Sequence, residues 1–139
     1  MKNDISAIGN ALVDTVFKVE HRLITELGLE IDQMTLSSAE EHAPIIERLI
    51  ASGADTISDC GGSATNSLVA AARFGAKCFH ICKVSEDQDG LRYLKSLKEA
   101  GVDHKGNTAS TNSIPTGKCL ILVTPDAKRT MTTALNISS

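Results

Sequence analysis

The chain has 139 residues and a formal net charge of −3 at pH 7, with 22% charged and 42% hydrophobic residues, an ordinary composition for a globular protein. It has no basic run and only four Phe or Tyr residues, which argues against nucleic-acid binding. No apolar run approaches the roughly 20 residues that span a bilayer, and no signal-peptide core follows the first residues. The length allows one domain with a real core.

The early part of the chain predicts short strands and helices. A strand, a half-exposed strand, a short helix and a small strand are predicted over 5–8, 15–19, 22–27 and 34–36. Ser37 and Ser38, with Glu40 and Glu41 three residues on, form a capping-box start for the next helix. We expect Pro44 to delay or kink that start, because proline lacks the backbone N–H.

A glycine pair is the most informative feature. Gly61 and Gly62 lie where a short apolar strand turns into an alanine-rich helix, followed by Ser63, Thr65 and Asn66. Glycine permits close backbone approach, and the amides of a first helical turn have no partner inside the helix, which suits hydroxyls or anionic oxygens. A tight turn capped by Ser63 or Thr65 fits equally well. A dinucleotide site or P-loop is disfavoured, because the third glycine and the lysine are missing.

The rest of the chain alternates strands and helices. Helices are predicted over 64–74 and 88–100, and this order indicates an α/β fold with a mainly parallel sheet. We expect its neighbouring strands to be 4–9, 56–60 and 77–82. Beyond them the pattern predicts a loop over 105–113 and a hairpin of 118–124 with 129–135.

Cysteines and histidines show no ligand spacing. The pattern favours buried, reduced thiols in a cytosolic protein, and surface or hydrogen-bonded core histidines, over a disulfide or a zinc site. These residues are Cys60, Cys78, Cys82 and Cys119, and His21, His42, His80 and His104.

Motifs along nearly the whole chain resemble the ribokinase/PfkB family of sugar and nucleoside kinases, closest to its adenosine-kinase-like branch. Residues 61–66 resemble the family's first signature, and 8–14 resemble its opening strand with the substrate-binding aspartate. Further matches, in the family's order, are Gly75, 83–87, Gly90, 100–102, 115–117 and 124–131. The order makes this resemblance more specific than any single motif.

The resemblance implies a ribokinase-like three-layer α/β core with a mainly parallel sheet and a small β lid, of which this chain would be the N-terminal half. Lid segments are expected at about 14–20, 34–36 and 116–135, and core segments at about 4–13 and 38–104. The implied reaction is ATP-dependent phosphorylation of a sugar or nucleoside hydroxyl. ATP and Mg²⁺ would serve the full-length enzyme, and neither is expected on this chain alone.

The resemblance also implies a substrate site. Asp14 would accept hydrogen bonds from two vicinal hydroxyls, Asn66 would bind the same hydroxyls, and Arg129 would bring positive charge to the transferring phosphate. Without a ligand role, Asp14 is a strand-end residue, Asn66 a helix cap and Arg129 a solvated cation. The implied substrate-binding set is Asn10, Leu12, Asp14, Gly61, Gly62, Ser63 and Asn66.

The sequence departs from the family at several points. Leu68 stands where a small residue is usual and Ser85 where glycine is usual, and Ser85 would be strained only at positive φ. The catalytic aspartate in a Gly-Ala-Gly-Asp-like turn has no counterpart here, so we expect no activity from the chain alone. A second hypothesis is a non-catalytic substrate-binding fragment or assembly partner, self-associating through the lid or an open sheet edge, without nucleic-acid or membrane partners.

Overall fold

A computed structural model describes residues 2–109 and 114–139 of the chain. Within these ranges strands and helices alternate, and the chain ends in a short 3₁₀ turn at Asn136–Ser138. The elements are β1 (Ile5–Ile8), β2 (Leu12–Lys18), α1 (His21–Glu26), β3 (Met34–Leu36), α2 (Ala39–Ala51), β4 (Thr56–Gly61), α3 (Ser63–Arg73), β5 (Cys78–Ser85), α4 (Gln88–Glu99), β6 (Val102–Ala109), β7 (Gly117–Val123) and β8 (Arg129–Ala134).

The first sheet is parallel, in the order β1-β5-β6. Residues of β5 alternate between buried and more exposed positions, so one face of this sheet packs on α3 and α4. The opposite face carries Ile81, which is 41% exposed. These features confirm the predicted α/β class with a parallel sheet. The core between this sheet and its helices contains Ala11, Val13, Leu68, Cys78, Cys82, Val84, Tyr93, Leu97 and Val102.

The second sheet is mixed, in the order β3-β8-β7-β2-β4. β7 and β8 form the predicted antiparallel hairpin, while β2 runs parallel to β7. Helices α1 and α2 cover one face of this sheet. That second core consists of Phe17, Val19, Ile24, Leu49, Leu120 and Leu122.

The predicted place of residues 56–60 in the parallel sheet is wrong. β4 pairs antiparallel with β2 in the second sheet, and β1 lies directly beside β5. A strand inside a parallel α/β sheet is buried on both faces and reads as a continuous apolar run. The segment around Ser58 and Asp59 is too polar for that, and it forms an edge strand instead. β4 therefore shares a sheet with the predicted lid segments, and the division into core and lid stays a prediction.

Local details agree in part with the sequence. Ser38 caps α2 and forms the capping box with Glu41, but the helix starts at Ala39 and includes Pro44, so the proline does not delay it. Residues 105–109 belong to β6 rather than to the predicted loop, and residues 110–113 lie outside the described ranges. Ser85 is absent from the positive-φ residues, so it replaces glycine without backbone strain.

The cysteines and two of the histidines occupy core positions. All four thiols are free, and Cys78, Cys82 and Cys119 are buried. Burial raises the pKa of Cys82 to about 11, which keeps that thiol protonated. His42 and His80 are buried and hydrogen-bonded, which confirms the prediction of satisfied core histidines for these two.

Candidate functional site

Asp14 and Gly61 meet where β2 and β4 pair. Leu12 lies opposite Gly61 and Asp14 lies opposite Asp59 in this antiparallel ladder. A Cβ atom at position 61 would fall on the carboxyl group of Asp14, so only glycine leaves space for it. The carboxylate therefore lies over the last residue of β4, directly before α3 begins.

Burial dominates the electrostatics of Asp14. It raises the pKa of the carboxyl group, the positive charge of Arg129 lowers it, and the negative charge of Asp59 raises it further. Arg129 and Asp14 share a sheet face. Arg129 and Thr133 are four residues apart on β8 and therefore lie on the same face. Thr133 lies opposite Cys119, and Cys119 lies opposite Asp14. The sheet thus presents an acidic and a basic group on one surface.

The amino end of α3 follows immediately. Gly62 is its N-cap with φ of 98°, a left-handed conformation, and a Cβ there would lie 2.5 Å from the carbonyl oxygen of Asn10. The first helical bond runs from the Asn66 amide to the Gly62 carbonyl at 2.9 Å. No side chain of the described residues caps this helix, so a turn capped by Ser63 or Thr65 is the wrong interpretation. The first-turn amides face the space before the helix.

The structure brings most of the predicted substrate-binding residues together. Asn10, Leu12, Asp14, Gly61 and Gly62 contact or pair with one another across β2, β4 and the following turn. Ser63 follows on the chain and is exposed. None of these contacts tests the role of a residue, which stays a prediction.

Two other predicted residues, Asn66 and Arg129, lie on α3 and β8. Asn66 is the fourth residue of α3, exposed and inside the helix, so it is not the N-cap. Arg129 is the exposed first residue of β8.

A hydrogen-bonded junction beside the first sheet was not predicted from the sequence. The Asp87 carboxylate accepts from the Thr116 amide at 2.8 Å, the Thr116 hydroxyl at 2.7 Å and the Gly90 amide at 2.7 Å. Burial raises the pKa of Asp87, but the bonds from Thr116 and Gly90 and the charge of Lys118 outweigh it and lower the pKa overall. The junction ties the loop after β5 to the start of β7.

A second buried network joins Thr65, His80 and Tyr93 behind the first turn of α3. The sequence shows each as one polar residue in a strand or helix pattern. Their meeting depends on how three separate elements pack, which no local pattern encodes.

A cavity of about 740 Å³ lies elsewhere, between α1, α2 and the ends of β2 and β7. It is lined by residues such as Lys18, Arg22, Leu23, Arg48 and Val123, and by none of the predicted site residues. Over the described ranges, no group of three or more His, Cys, Asp or Glu side chains is arranged to hold a metal ion. None of the described helices has the length and apolar character needed to cross a membrane.

Known proteins are similar to this chain in sequence or in architecture. Mouse (Mus musculus) ribokinase is 38% identical over 63 residues, covering 45% of this chain and 19% of that protein. The crystal structure of adenosine kinase from Sinorhizobium meliloti matches with a TM-score of 0.85 and 28% identity, over 99% of this chain and 41% of that chain. A probable sugar kinase from Rhizobium etli CFN 42 matches with a TM-score of 0.85 and 26% identity, over 98% of this chain and 40% of that chain.

The chain therefore spans less than half of the length of these relatives. The model of the pfkB family of carbohydrate kinases matches residues 31–139, well over half of the sequence. Together with the shared fold, this match shows that the chain belongs to the pfkB carbohydrate kinase family.

Proposed function

We propose that this chain supplies the substrate-binding half of an enzyme that phosphorylates a hydroxyl group of a sugar or nucleoside with ATP. The observation that carries the proposal is the half-buried Asp14 carboxylate held over Gly61 at the amino end of α3. Two relatives are named as a ribokinase and an adenosine kinase. Ribose and adenosine both carry a vicinal diol, which one carboxylate can bind through two accepted hydrogen bonds.

The chemistry assigned to the chain is binding and orientation. Asp14 accepts from two substrate hydroxyls, and partial burial strengthens these bonds by lowering the local dielectric. The Gly62 amide and the Asn66 side chain complete the polar surface around the same hydroxyls, while Asn10, Leu12 and Ser63 line the side of the base or aglycone. The free hydroxyl is then left facing the phosphoryl donor, which is the positioning that phosphoryl transfer needs.

Fewer residues of this chain are assigned to the phosphates of ATP than to the substrate. ATP would supply the phosphoryl group, and Mg²⁺ would neutralise charge on its phosphates. Arg129 shares a sheet face with Asp14 and adds positive charge there. We assign Mg²⁺ to no residue of this chain. The free, mostly buried thiols fit a reducing compartment such as the cytoplasm.

A second candidate function is that of a non-catalytic substrate-binding or assembly piece. β1 is the terminal strand of the first sheet in the described structure, and its Ile8 is 78% exposed. An unpaired strand edge next to an exposed apolar side chain favours pairing with another strand, either from a partner or from the remainder of a kinase fold. The enzyme half and a substrate-binding piece both require substrate binding at Asp14, an assembly piece does not, and only the first function requires phosphoryl transfer.

Calorimetric titration tests the shared step. Ribose and adenosine are titrated into the purified chain, into its Asp14→Ala variant and into Asp103→Ala, which removes an exposed carboxylate from β6 as a matched control. We expect binding to the chain and to Asp103→Ala, and its loss in Asp14→Ala. Equal binding by all three proteins would contradict the site.

A coupled ADP assay separates the two functions. We expect no substrate-dependent ADP production from the 139-residue chain, because no catalytic base is assigned to it. We expect such production from a longer kinase that contains this chain. Substrate-dependent ADP from the chain alone would overturn this division of labour, and a longer kinase that binds substrate without turnover would favour the second function.

A further inference from the structure

Three polar side chains form a closed cluster in the first core, and none of them belongs to the proposed ligand set. The Thr65 hydroxyl lies 2.6 Å from the Tyr93 hydroxyl and 3.2 Å from Nε2 of His80, and the Tyr93 hydroxyl lies 3.1 Å from the same nitrogen. All three residues have zero solvent exposure. They come from α3, β5 and α4, so the cluster joins three elements.

The hydrogen-bond partners of the cluster decide which of its atoms donate and which accept. Nδ1 of His80 lies 3.3 Å from the carbonyl oxygen of Ala7, and because a carbonyl only accepts, Nδ1 carries the hydrogen. Nε2 is then an acceptor, which takes one hydroxyl hydrogen while the two hydroxyls bond to each other. Burial lowers the pKa of His80, the bond to Ala7 opposes this, and His104 on β6 lowers it further, which favours the neutral ring.

Thr65 connects this cluster to the candidate site. It is the third residue of α3, between the Gly62 N-cap and Asn66, and its hydroxyl would lie 3.6 Å from a Cβ at position 62. Gly9 of the turn after β1 packs against Ala64 so closely that a Cβ on Gly9 would lie 2.6 Å from that of Ala64. The first turn therefore rests on Gly9 at one side and is bonded through Thr65 underneath, while its N-cap offers no side-chain bond.

We propose that Thr65, held by His80 and Tyr93, is a positioning residue that fixes the first turn of α3 and so aims the Gly62 amide and the Asn66 side chain at the substrate. This inference rests on the proposed function. Thr65 bonds to the core and not to substrate, and its effect reaches the ligand through the helix end that carries Gly62 and Asn66.

The test removes one buried hydroxyl group from each of two threonines, Thr65 and Thr132, and compares the effects. Thr65→Val removes the hydroxyl and keeps the shape, and Thr65→Ser keeps the hydroxyl. Thr132→Val is the matched control, because Thr132 is equally buried and bonds to His42 at 3.1 Å and Ser37 at 2.8 Å, far along the chain on the second sheet. Melting temperature, amide hydrogen exchange and ribose and adenosine affinity are measured on the 139-residue chain.

We expect both valine variants to melt at lower temperature. Only Thr65→Val should speed exchange of the Asn66 amide, whose bond to the Gly62 carbonyl closes the first turn, by about tenfold, and weaken sugar or nucleoside affinity by about tenfold, the factor that one lost buried hydrogen bond sets. Thr65→Ser should restore both quantities. Thr65→Val with exchange and affinity no worse than Thr132→Val would overturn the proposal.

Further measurements keep the proposal separable from the proposed function. Tyr93→Phe removes the 2.6 Å partner of Thr65 and leaves only its 3.2 Å bond to His80, so it should show a smaller change at the same amide and keeps the test decisive if Thr65→Val does not fold. Ring nitrogen shifts of His80 at neutral pH should show the neutral Nδ1–H form, and a charged ring would overturn the network. If the unsubstituted chain binds neither ribose nor adenosine, the proposed function fails, while the exchange pattern still decides whether Thr65 fixes the helix end.

Discussion

The carboxyl group of Asp14 fills the volume that a side chain at position 61 would need, so its place in the structure depends on Gly61 having none. Gly61 is not among the glycines with positive φ. The requirement at this position is therefore one of space and not of backbone conformation, which sets Gly61 apart from Gly62.

Gly61→Ala should displace the Asp14 carboxylate and lower sugar or nucleoside affinity about as far as Asp14→Ala does. The overpacked site should also lose about 1–3 kcal/mol of unfolding free energy. Because Asp14→Ala vacates the same space, the double variant should be more stable than additivity allows, which urea unfolding of the four proteins measures. Strict additivity would show that the two positions do not compete for one volume.

Substitutions of the predicted site residues should differ in how strongly they change KM and kcat. In a longer kinase that contains this chain, Asp14→Ala should raise KM most, since hydrogen bonds to a carboxylate contribute about 1.5–3 kcal/mol each. Asn66→Ala should cost less, because its bonds are neutral. Arg129→Ala should lower kcat more than it raises KM if its charge acts on the transferring phosphate. Steady-state kinetics of the three variants test this order, and unchanged constants for Asp14→Ala would remove the anchor of the site.

The buried histidines should make the protein acid-sensitive. Burial lowers the pKa of both His42 and His80, so the unfolded chain takes up protons at a higher pH than the folded one. Their contribution to stability is complete above about pH 6.5, the ordinary value for histidine, and falls as pH drops from there towards the lowered folded values. Urea unfolding between pH 5 and 8 should show this loss. A His42→Gln, His80→Gln variant should show a flatter profile.

Asp87 should contribute to the loss of stability over a second, more acidic pH range. Its pKa is lowered overall, so its contribution is complete above about pH 3.9, the unfolded value, and falls as pH drops through the lowered folded value. Asp87→Asn should cost about 1.5–3 kcal/mol at neutral pH, because the amide cannot replace a carboxylate that accepts from both Thr116 and Gly90. Ser38→Ala, which removes only the α2 cap, should cost about 1 kcal/mol and leave acid unfolding unchanged. Equal acid profiles for both variants would contradict the role of Asp87.

The sequence predicted those parts of the fold that local patterns encode. The helices α3 and α4, the β7–β8 hairpin and the Ser38 cap all follow from periodicity, glycine ends and turn chemistry. Strand pairing is not encoded locally, which is why β4 was wrongly predicted to lie in the parallel sheet, although it pairs antiparallel with β2. Its polar Ser58 and Asp59 were the available sign of an edge strand.

The candidate site was predictable to a similar depth. The glycine pair was identified from its position between a strand and a helix and Asp14 through resemblance to the family, and the structure places the carboxylate against Gly61. The left-handed Gly62, which leaves α3 without a side-chain cap, depends on the path of the backbone between the two sheets. A cap from Ser63 or Thr65 was reasonable by composition alone. Thr65 turns inward because two other elements offer it partners there.

The mutual satisfaction of Thr65, His80 and Tyr93 also constrains how this lineage can diverge. Replacing one member removes the buried hydrogen bonds that the other two made to it, at a cost of about 0.5–1.5 kcal/mol for each bond, whereas exchanging the whole set for apolar groups of similar shape can be nearly neutral. Substitutions at these three positions should therefore occur together in related sequences. Descendants of a common ancestor should keep either the polar trio or an apolar trio, and mixed combinations should be rare.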